Sequence, residues 1–258
     1  EASSLVFLWF RIGSRRVAEV CMDKTLKVTV VYANQRQGST WNCVRLVLEA
    51  LAQRAPIEVQ SFHMARDLPA ACVGCFGCIA KGEDVCPHAD AVRPIRDSLE
   101  AADLIVLASP VYAMDVAASM KNLLDHLCFQ WMSHRPNAAM FSKVGLSVVT
   151  TAGAGAGHAL GTLGNSLTFW GIGRVFKLGA PVAAMSWQEV SQKRKAALEK
   201  KTRRIADHML RAHAGTKPSF KVRFLFGLMG GMQKKNNWNQ VDRAHWERRG
   251  WLAGKKPF

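Results

Sequence analysis

The stretch Asp103-Leu-Ile-Val-Leu-Ala-Ser109 decides the fold, because it is a continuous apolar run that ends directly before Pro110. A short run of this kind, bounded by a turn signal, is typical of a strand that is buried on both faces. Strands buried on both faces occur mainly in parallel sheets that helices cover on each side. We therefore predict a central strand here, with strands on either side of it.

Strand and helix patterns alternate along the rest of the chain. This alternation is typical of βαβ units and predicts an α/β fold with a doubly wound, five-stranded parallel sheet. The other predicted strands are 26–33, 57–62, 143–151 and 174–179, and the predicted helices are 41–54, 90–102, 116–128, 157–170 and 188–213. Ligands of such sheets bind beyond the carboxyl ends of the strands, which points to the loops 34–40, 110–115 and 151–157.

The first of these loops, Ala33-Asn-Gln-Arg-Gln-Gly-Ser-Thr40, joins a predicted strand to a predicted helix. We expect Ser39 or Thr40 to cap the helix, whose free N–H groups can then bind an anion. The guanidinium of Arg36 suits a phosphate group. A capped helix without any ligand fits the same residues. The loop is neither a Walker A sequence nor a Gly-x-Gly-x-x-Gly sequence.

The second loop, Ser109-Pro-Val-Tyr-Ala-Met114, places an aromatic residue at the end of the central strand, where it suits a flat heterocycle. Met120-Lys-x-x-x-Asp follows it, and Asp242-x-x-x-Trp-x-x-x-Gly-Trp-Leu252 comes near the end of the sequence. Together these motifs resemble the NAD(P)H-dependent FMN reductase group of the flavodoxin-like proteins. The resemblance runs from about Lys27 to Leu252.

This resemblance implies a flavodoxin-like fold and an oxidoreductase that transfers electrons from NAD(P)H, through bound FMN, to a quinone, nitro, flavin or similar acceptor. It also implies which residues hold FMN. The phosphate would bind Asn34, Arg36, Ser39 and Thr40; the ring would be lined by Pro110, Val111, Tyr112 and Met114; and the polar edge of the ring would face backbone groups of Thr151, Gly153 and Gly155. The first loop departs from the family pattern, since Ala33, Asn34 and Gln35 stand where Gly, Ser and Pro are usual.

Four cysteines form the compact motif Cys72-x2-Cys75-x2-Cys78-x7-Cys86-Pro87. Thiolates at this spacing can ligate a [4Fe–4S] cluster. The motif resembles that of the iron–sulfur flavoproteins of the same wider family, which implies an alternative function in which a ferredoxin supplies electrons to the cluster and the cluster reduces FMN. Free thiols, a zinc site and a disulfide are the other interpretations of this motif.

The remaining cysteines and the histidines carry weaker signals. Cys43 and Cys128 lie on apolar faces of predicted helices, and we expect them to be inert core residues. No histidine stands at a metal-binding spacing from another one, so we expect all five of these residues to be structural: His63, His88, His126, His134 and His158.

Charge is concentrated in the last quarter of the sequence. The chain carries a net charge of +16, and residues 191–258 alone carry 18 Lys and Arg against four Asp and Glu, a net of +14. Such a surface suggests an acidic partner or a phosphate-rich surface, and a solvated basic face fits the same charge. In the iron–sulfur alternative, which the family resemblance implies, the acidic partner would be a ferredoxin. We see no zinc-finger or RNA-binding signature, and we expect neither nucleic acid nor a membrane as partner. The absence of a secretory signal pattern and the cysteine usage predict a reducing cytoplasm.

The chain divides into three predicted regions. Residues 1–21 read as an extension before Met22, residues 22–214 as the flavodoxin-like domain with a cysteine-rich insertion at about 70–88, and residues 215–258 as a basic C-terminal extension. In that extension the apolar segment 219–233, flanked by basic residues, could contact a membrane surface. We favour a contact with a neighbouring subunit, because the family resemblance implies dimers or tetramers.

Overall fold

The computed structural model describes residues 25–215 and 217–258. Within them five long strands form one parallel sheet in the order β2-β1-β3-β5-β6, and a two-residue strand, β4, pairs antiparallel with the end of β3. The strands are β1 Leu26–Tyr32, β2 Ile57–His63, β3 Leu104–Tyr112, β4 Asp115–Val116, β5 Val144–Thr151 and β6 Arg174–Pro181. The predicted extension 1–21, with Cys21 and Met22, lies outside the described residues.

The predicted central strand is confirmed. β3 lies between β1 and β5, where Val106 pairs with Val30 on one side and with Leu146 on the other. Successive side chains of a strand point to opposite faces of the sheet, so an apolar run without alternation serves two cores at once. Val106 belongs to the core on one face, and Ile105 belongs to the core on the other.

Helices cover both faces, as the doubly wound fold requires. α1 and α7 contribute to the core that contains Val106, and α4, α5 and α6 contribute to the core that contains Ile105. The helices are α1 Ser39–Ala52, α2 Met64–Asp67, α3 Gly77–Ala80, α4 Ala89–Ala101, α5 Ala118–His126, α6 Ala156–Phe169, α7 Gln192–Ala214, α8 Phe220–Lys234 and α9 Gln240–Arg248. Short 3-10 helices occupy Glu83–Val85, Cys128–Gln130 and Ala138–Ser142.

The two last helices form a third, smaller core. Phe226 of α8 stacks on Trp246 of α9, with ring centroids 4.9 Å apart, and both rings contact Trp251. Phe141, which precedes β5, packs edge-on against Phe226 and so joins this core to the body of the domain. In the described part of the chain, no helix combines the length and the apolar character that crossing a membrane requires.

Candidate functional site

Three loops meet at one edge of the sheet. β1, β3 and β5 are neighbours and run parallel, so their carboxyl ends lie side by side. The loops that follow these strands are the three that the sequence pointed to, and each leads towards a helix or a short hairpin on the same edge. This edge is where open α/β sheets bind their ligands.

The loop after β1 presents the start of α1 without a side-chain cap. The N-cap residue is Gly38, not Ser39 or Thr40 as predicted, and no side chain accepts a hydrogen bond at this end of the helix. The first N–H groups of a helix have no partner within it, and together with the helix dipole they attract an anion. Arg36 is exposed beside this end, where its guanidinium donates a hydrogen bond to the carbonyl oxygen of Met185.

Two of the other predicted residues in this loop have partners within the protein. The buried hydroxyl of Thr40 lies 2.6 Å from the hydroxyl of Thr150 on β5, so it ties α1 to the sheet. The carbonyl oxygen of Asn34 accepts a hydrogen bond from Nδ1 of His63, at 3.0 Å. Ser39 is half-buried at the first turn of α1.

The loop after β3 is a tight hairpin with a strained backbone. β3 continues past the predicted end at Ser109 to Tyr112, which pairs with Asp115 of β4 across a two-residue turn. Both turn residues have positive φ, 46° at Ala113 and 68° at Met114. Turns of this kind usually carry Asn or Gly, and such strain in other residues is concentrated at functional sites. The side chains of Tyr112 and Met114 are 55% and 59% exposed, so the hairpin presents an aromatic ring and a thioether to solvent.

The loop after β5 lies against this hairpin. Gly155 has φ +83°, and a Cβ there would lie 2.7 Å from Cγ1 of Val111 and 3.0 Å from Cα of Met114. Gly153, in contrast, has open space where its Cβ would be. The hydroxyl of Thr151 shapes the loop, because it donates to the carbonyl oxygen of Ala154 at 2.6 Å and accepts from the N–H of Gly153 at 3.2 Å.

The four cysteines of the motif lie around one pocket. Cys72 and Cys75 are exposed, and Cys78 and Cys86 are half-buried. The same pocket is lined by His88 and His126, and the remaining lining residues are Val73, Phe76 and Pro87. The structure therefore brings all four predicted ligands to one place and adds two imidazoles to them.

The start of the cysteine segment is held by Asn122 on α5. Its side-chain oxygen accepts a hydrogen bond from the N–H of Cys72 at 2.8 Å. Its amide nitrogen donates to the carbonyl oxygens of Leu68 and Ala70, at 3.1 and 2.9 Å. One amide thus fixes the backbone that leads into the first cysteine, from Leu68 to Cys72.

The backbone at the third cysteine of the motif, Cys78, is held by the buried guanidinium of Arg135. It donates to the carbonyl oxygens of Cys78 and Ile79, and it forms an ion pair with Asp242 of α9. Asn239 adds a hydrogen bond to the carbonyl oxygen of Ile79, at 3.2 Å. Asp242, which the sequence offered only as part of a family resemblance, therefore supports the cysteine segment through Arg135.

The thiols of this pocket differ in acidity. A hydrogen bond with Cys128, followed by the positive charge of Arg135, lowers the pKa of Cys78 to about 6. Burial, together with the neighbouring thiols of the motif, raises the pKa of Cys86. Because the thiolate is the form that attacks electrophiles and binds metals, these opposite directions make Cys78 the more reactive thiol of the two.

A family model decides which proteins this chain is related to. The model described as "NADPH-dependent FMN reductase" matches residues 26–188, which span the sheet, the three loops and the cysteine segment. The chain belongs to the NADPH-dependent FMN reductase family. The predicted family resemblance and the flavodoxin-like fold are thereby confirmed.

Curated relatives of this family member are iron–sulfur flavoproteins. One from Archaeoglobus fulgidus is 31% identical over 146 residues, which cover 56% of the chain and 63% of that relative. One from Methanocaldococcus jannaschii is 37% identical over 101 residues, which cover 39% of the chain and 51% of that relative. The chain thus spans less than two thirds of the length of these relatives.

The fold also matches solved structures. An NAD(P)H:quinone oxidoreductase from Methanothermobacter marburgensis superposes with a TM-score of 0.54 over 72% of the chain and 98% of that protein, at 14% sequence identity. At this identity the likeness concerns the fold alone.

Two residues that line the cysteine pocket and one beside it were not among the predicted site residues. His88 and His126 were expected to be structural; they line this pocket and face each other, with Nδ1 of His88 2.9 Å from Nε2 of His126. Cys128 was expected to be an inert core residue, yet it is half-buried beside Cys78. The only local signal was the position of His88 two residues after Cys86, since the other two residues are far away in the sequence.

Proposed function

We propose that the protein is an FMN-dependent oxidoreductase that transfers electrons from NAD(P)H to a quinone, nitro compound, flavin or similar acceptor. The observation that carries this proposal is the meeting of three loops at the carboxyl edge of β1, β3 and β5: an uncapped helix end, a strained hairpin and a glycine loop. Family membership supports the cofactor and the reaction class.

The loop after β1 fits the phosphate of FMN. The N-terminal N–H groups of α1 have no side-chain cap, so they are available to an anion. The exposed guanidinium of Arg36 supplies a positive charge at the same end of the helix. We propose that Asn34, Ser39 and Thr40 contact the phosphate through their backbone N–H groups. The hydroxyl of Thr40 already has a hydrogen-bond partner in Thr150.

The two other loops fit the ring. Pro110, Val111, Tyr112 and Met114 would line it from the hairpin, and Thr151, Gly153 and Gly155 would face its polar edge with backbone groups. Bound FMN would supply the hydride and electron chemistry, while the protein positions it and tunes its potential. The open space at Gly153 allows the main chain to come close to a ligand.

The experiment that tests this proposal starts from protein purified without oxygen. Its visible absorption spectrum, and the identity of the flavin released on denaturation, are recorded before NADPH or NADH is added. We expect one FMN per chain and rapid bleaching of the flavin bands by one of the two nucleotides. If the protein binds no flavin, even after incubation with FMN, the proposal is wrong.

A second candidate function rests on the cysteine pocket. Cys72, Cys75, Cys78 and Cys86 line one pocket, and the curated relatives are named iron–sulfur flavoproteins. In this alternative the four thiolates hold a [4Fe–4S] cluster, and an acidic ferredoxin supplies the electrons. The net charge of +14 on residues 191–258 would attract such a partner.

Iron and acid-labile sulfide, measured on the same anaerobic sample, distinguish the two candidates. Iron and sulfide near four per chain, lost in a Cys75→Ser variant that keeps its flavin, would favour the iron–sulfur function. FMN without iron, with fast reduction by NAD(P)H, would favour the simple reductase.

We further propose that the chain forms a homo-oligomer in the cytoplasm. The support is a row of exposed apolar side chains on one face of α8, formed by Phe220, Phe224, Leu228 and Met232. A row of this size is characteristic of a surface that another protein covers. Sedimentation equilibrium tests it: Phe224→Gln together with Leu228→Gln should shift a dimer or tetramer towards monomer, whereas Val59→Gln on the edge strand β2 should not.

The proposed location in the cytoplasm is supported by the six described cysteines, which are all free, and subcellular fractionation would test it.

A further inference from the structure

The cysteine pocket contains a set of three ligands that differs from the four-cysteine motif. Cys86, His88 and His126 place Sγ and one nitrogen of each ring within 4.8 Å of one another. Cys86 and His88 come from the loop before α4, and His126 is the last residue of α5. Two separate elements of the fold thus converge on one point.

His126 is oriented for metal binding. Its ring is buried, and Nδ1 lies 2.9 Å from the carbonyl oxygen of Asn122, one turn earlier in α5. A carbonyl oxygen only accepts hydrogen bonds, so Nδ1 carries the proton and Nε2 presents a lone pair. Histidine ligands of metals usually donate their other ring N–H to such a carbonyl group.

The lone pair of His126 points to His88. Nε2 of His126 and Nδ1 of His88 are 2.9 Å apart, so in the metal-free protein a single proton lies between them. Nitrogen ligands bound at about 2.0–2.1 Å to a tetrahedral ion are about 3.3 Å apart. A cation would displace that proton to solvent if the two rings moved apart by a few tenths of an ångström and turned until both nitrogen lone pairs pointed at the ion. His88 is only half-buried, so its ring has room for this movement.

We propose that Cys86, His88 and His126 bind a single divalent ion of the zinc class, with the fourth tetrahedral position open to solvent. The ligand chemistry suits zinc, which prefers thiolate and imidazole ligands. This site does not depend on FMN. It differs from the four-thiolate cluster of the second candidate function in two respects: both imidazoles are ligands, and Cys72 and Cys75 are not. Cys86 belongs to both sets, so one chain holds either this ion or the cluster.

The test uses Co²⁺ as the probe and the untagged full-length chain, kept under nitrogen and freed of bound metal by a chelator. Tetrahedral Co²⁺ with a thiolate ligand gives visible d–d bands and a sulfur-to-cobalt charge-transfer band, which report geometry and ligand type without any activity measurement. We expect one Co²⁺ per chain. His88→Gln and His126→Gln should each weaken its binding by about tenfold or more, since even substitutions in the outer shell of a metal site have effects of this size.

Matched controls are available in the same chain. Cys72→Ser changes a thiol of the same pocket outside the proposed set, and His158→Gln changes an imidazole that is 71% exposed. Both should leave the cobalt spectrum and affinity unchanged, and Cys86→Ser should remove the charge-transfer band. If circular dichroism shows that His126→Gln does not fold, the test uses the His88→Gln variant alone.

Three results would overturn the proposal. The first is the absence of tetrahedral Co²⁺ in the wild-type chain, which would leave His88 and His126 as a hydrogen-bonded pair. The second is unchanged affinity in His88→Gln. The third is loss of the cobalt bands in Cys72→Ser, which would assign the ion to the four thiols. None of these results bears on whether the chain binds FMN.

Discussion

Arg135 and Asp242 form an ion pair in which the two side chains are only 6% and 0% exposed, although they are 107 residues apart in the sequence. Both oxygens of the Asp242 carboxylate accept hydrogen bonds. Arg135 donates to Oδ1, and His134 and Asn239 donate to Oδ2, at 2.6 and 2.9 Å. The guanidinium in turn binds the backbone of the cysteine segment at Cys78. Helix α9 therefore stabilises the backbone of the cysteine segment indirectly. Its buried carboxylate, Asp242, pairs with the buried guanidinium of Arg135, and Arg135 binds Cys78.

Removing one partner of this pair should strongly destabilise the protein. Asp242→Asn keeps the size of the side chain but removes the buried counter-ion of Arg135, which then retains only the partly exposed Glu83, at 3.4 Å. We expect the free energy of unfolding to fall by about 3–5 kcal/mol, as for other broken buried ion pairs. Urea unfolding, followed by circular dichroism, measures this change.

Glu247→Gln is the matched control, because Glu247 pairs with Arg243 on the exposed side of the same helix. Exposed pairs contribute at most about 1 kcal/mol, so this variant should unfold close to the wild-type midpoint. Equal losses in the two variants would mean that the buried pair has no special role.

The contact between the glycine loop and the hairpin predicts different outcomes for two glycines. Gly155→Ala adds a Cβ at 2.7 Å from Val111, in a backbone conformation with φ +83°. We expect a loss of about 1–3 kcal/mol in stability, through strain and overpacking, and weaker FMN binding, because the ring site of the proposed function includes the hairpin. Gly153→Ala adds its Cβ in open space and should leave stability nearly unchanged. Thermal unfolding and FMN titration check both variants, and equal tolerance of the two alanines would contradict the close packing.

Arg36 should discriminate between flavins that differ only in the phosphate. If its guanidinium binds the FMN phosphate, Arg36→Gln loses a charge-assisted hydrogen bond of about 1.5–3 kcal/mol, which is roughly a tenfold to hundredfold loss of FMN affinity. Riboflavin lacks the phosphate, so its affinity should not change. Arg45→Gln, which alters an arginine of α1 that pairs with Glu49, serves as control. Fluorescence titration measures the affinities of wild type and both variants for FMN and for riboflavin. A parallel loss of riboflavin binding would show that Arg36 acts on the loop instead of the phosphate.

His245 predicts a dependence of stability on pH. Burial, helped by the positive charges of Arg249, Arg135 and Arg248, lowers the pKa of His245 from 6.5 to about 4, against a hydrogen bond to the carbonyl oxygen of Pro136. Between these two values the unfolded chain binds a proton that the folded chain does not. The contribution of neutral His245 to the free energy of unfolding is therefore fully present above pH 6.5 and is lost as the pH falls towards 4.

In His245→Gln this part of the acid sensitivity should disappear. Glutamine can still donate to the carbonyl oxygen of Pro136, but it does not titrate. Urea midpoints measured above pH 6.5 and again nearer pH 4 should differ less in this variant than in wild type, and His158→Gln should behave as wild type because His158 is 71% exposed. Identical pH slopes in wild type and His245→Gln would exclude this histidine as the cause.

The sheet and the three loops could be predicted from the sequence because their signals are local. An apolar run such as 103–109 encodes burial on both faces by itself, and a strand followed by a helix places its loop at the carboxyl edge. The start of α1 shows the limit of a local rule: Ser39 is a preferred capping residue, but the helix already begins there, and Gly38 is the N-cap.

The cysteine pocket could be predicted only in part, because its other residues come from distant segments. The x2 spacings bring Cys72, Cys75 and Cys78 together whatever the fold is. The contact of Cys128 with Cys78, and of His126 with His88, depends on how α5 lies beside the motif, which no short pattern encodes. The same holds for Arg135 and Asp242, whose pairing needs the third core around Phe226 and Trp246.

The distance in sequence between Arg135 and Asp242 also has a consequence for synthesis on the ribosome. The cysteine segment and Arg135 are translated at least 107 residues before Asp242. At about 5–20 residues per second this interval lasts on the order of 5–20 seconds. During that time the nascent thiols have left the ribosome or are leaving it, while the helix that fixes their backbone has not yet been made. Metal delivered in this interval would meet a segment that Asn122 can hold at Cys72 but that has no support yet from Asp242 near Cys78. Loading is therefore best suited to the stage after α9 has folded.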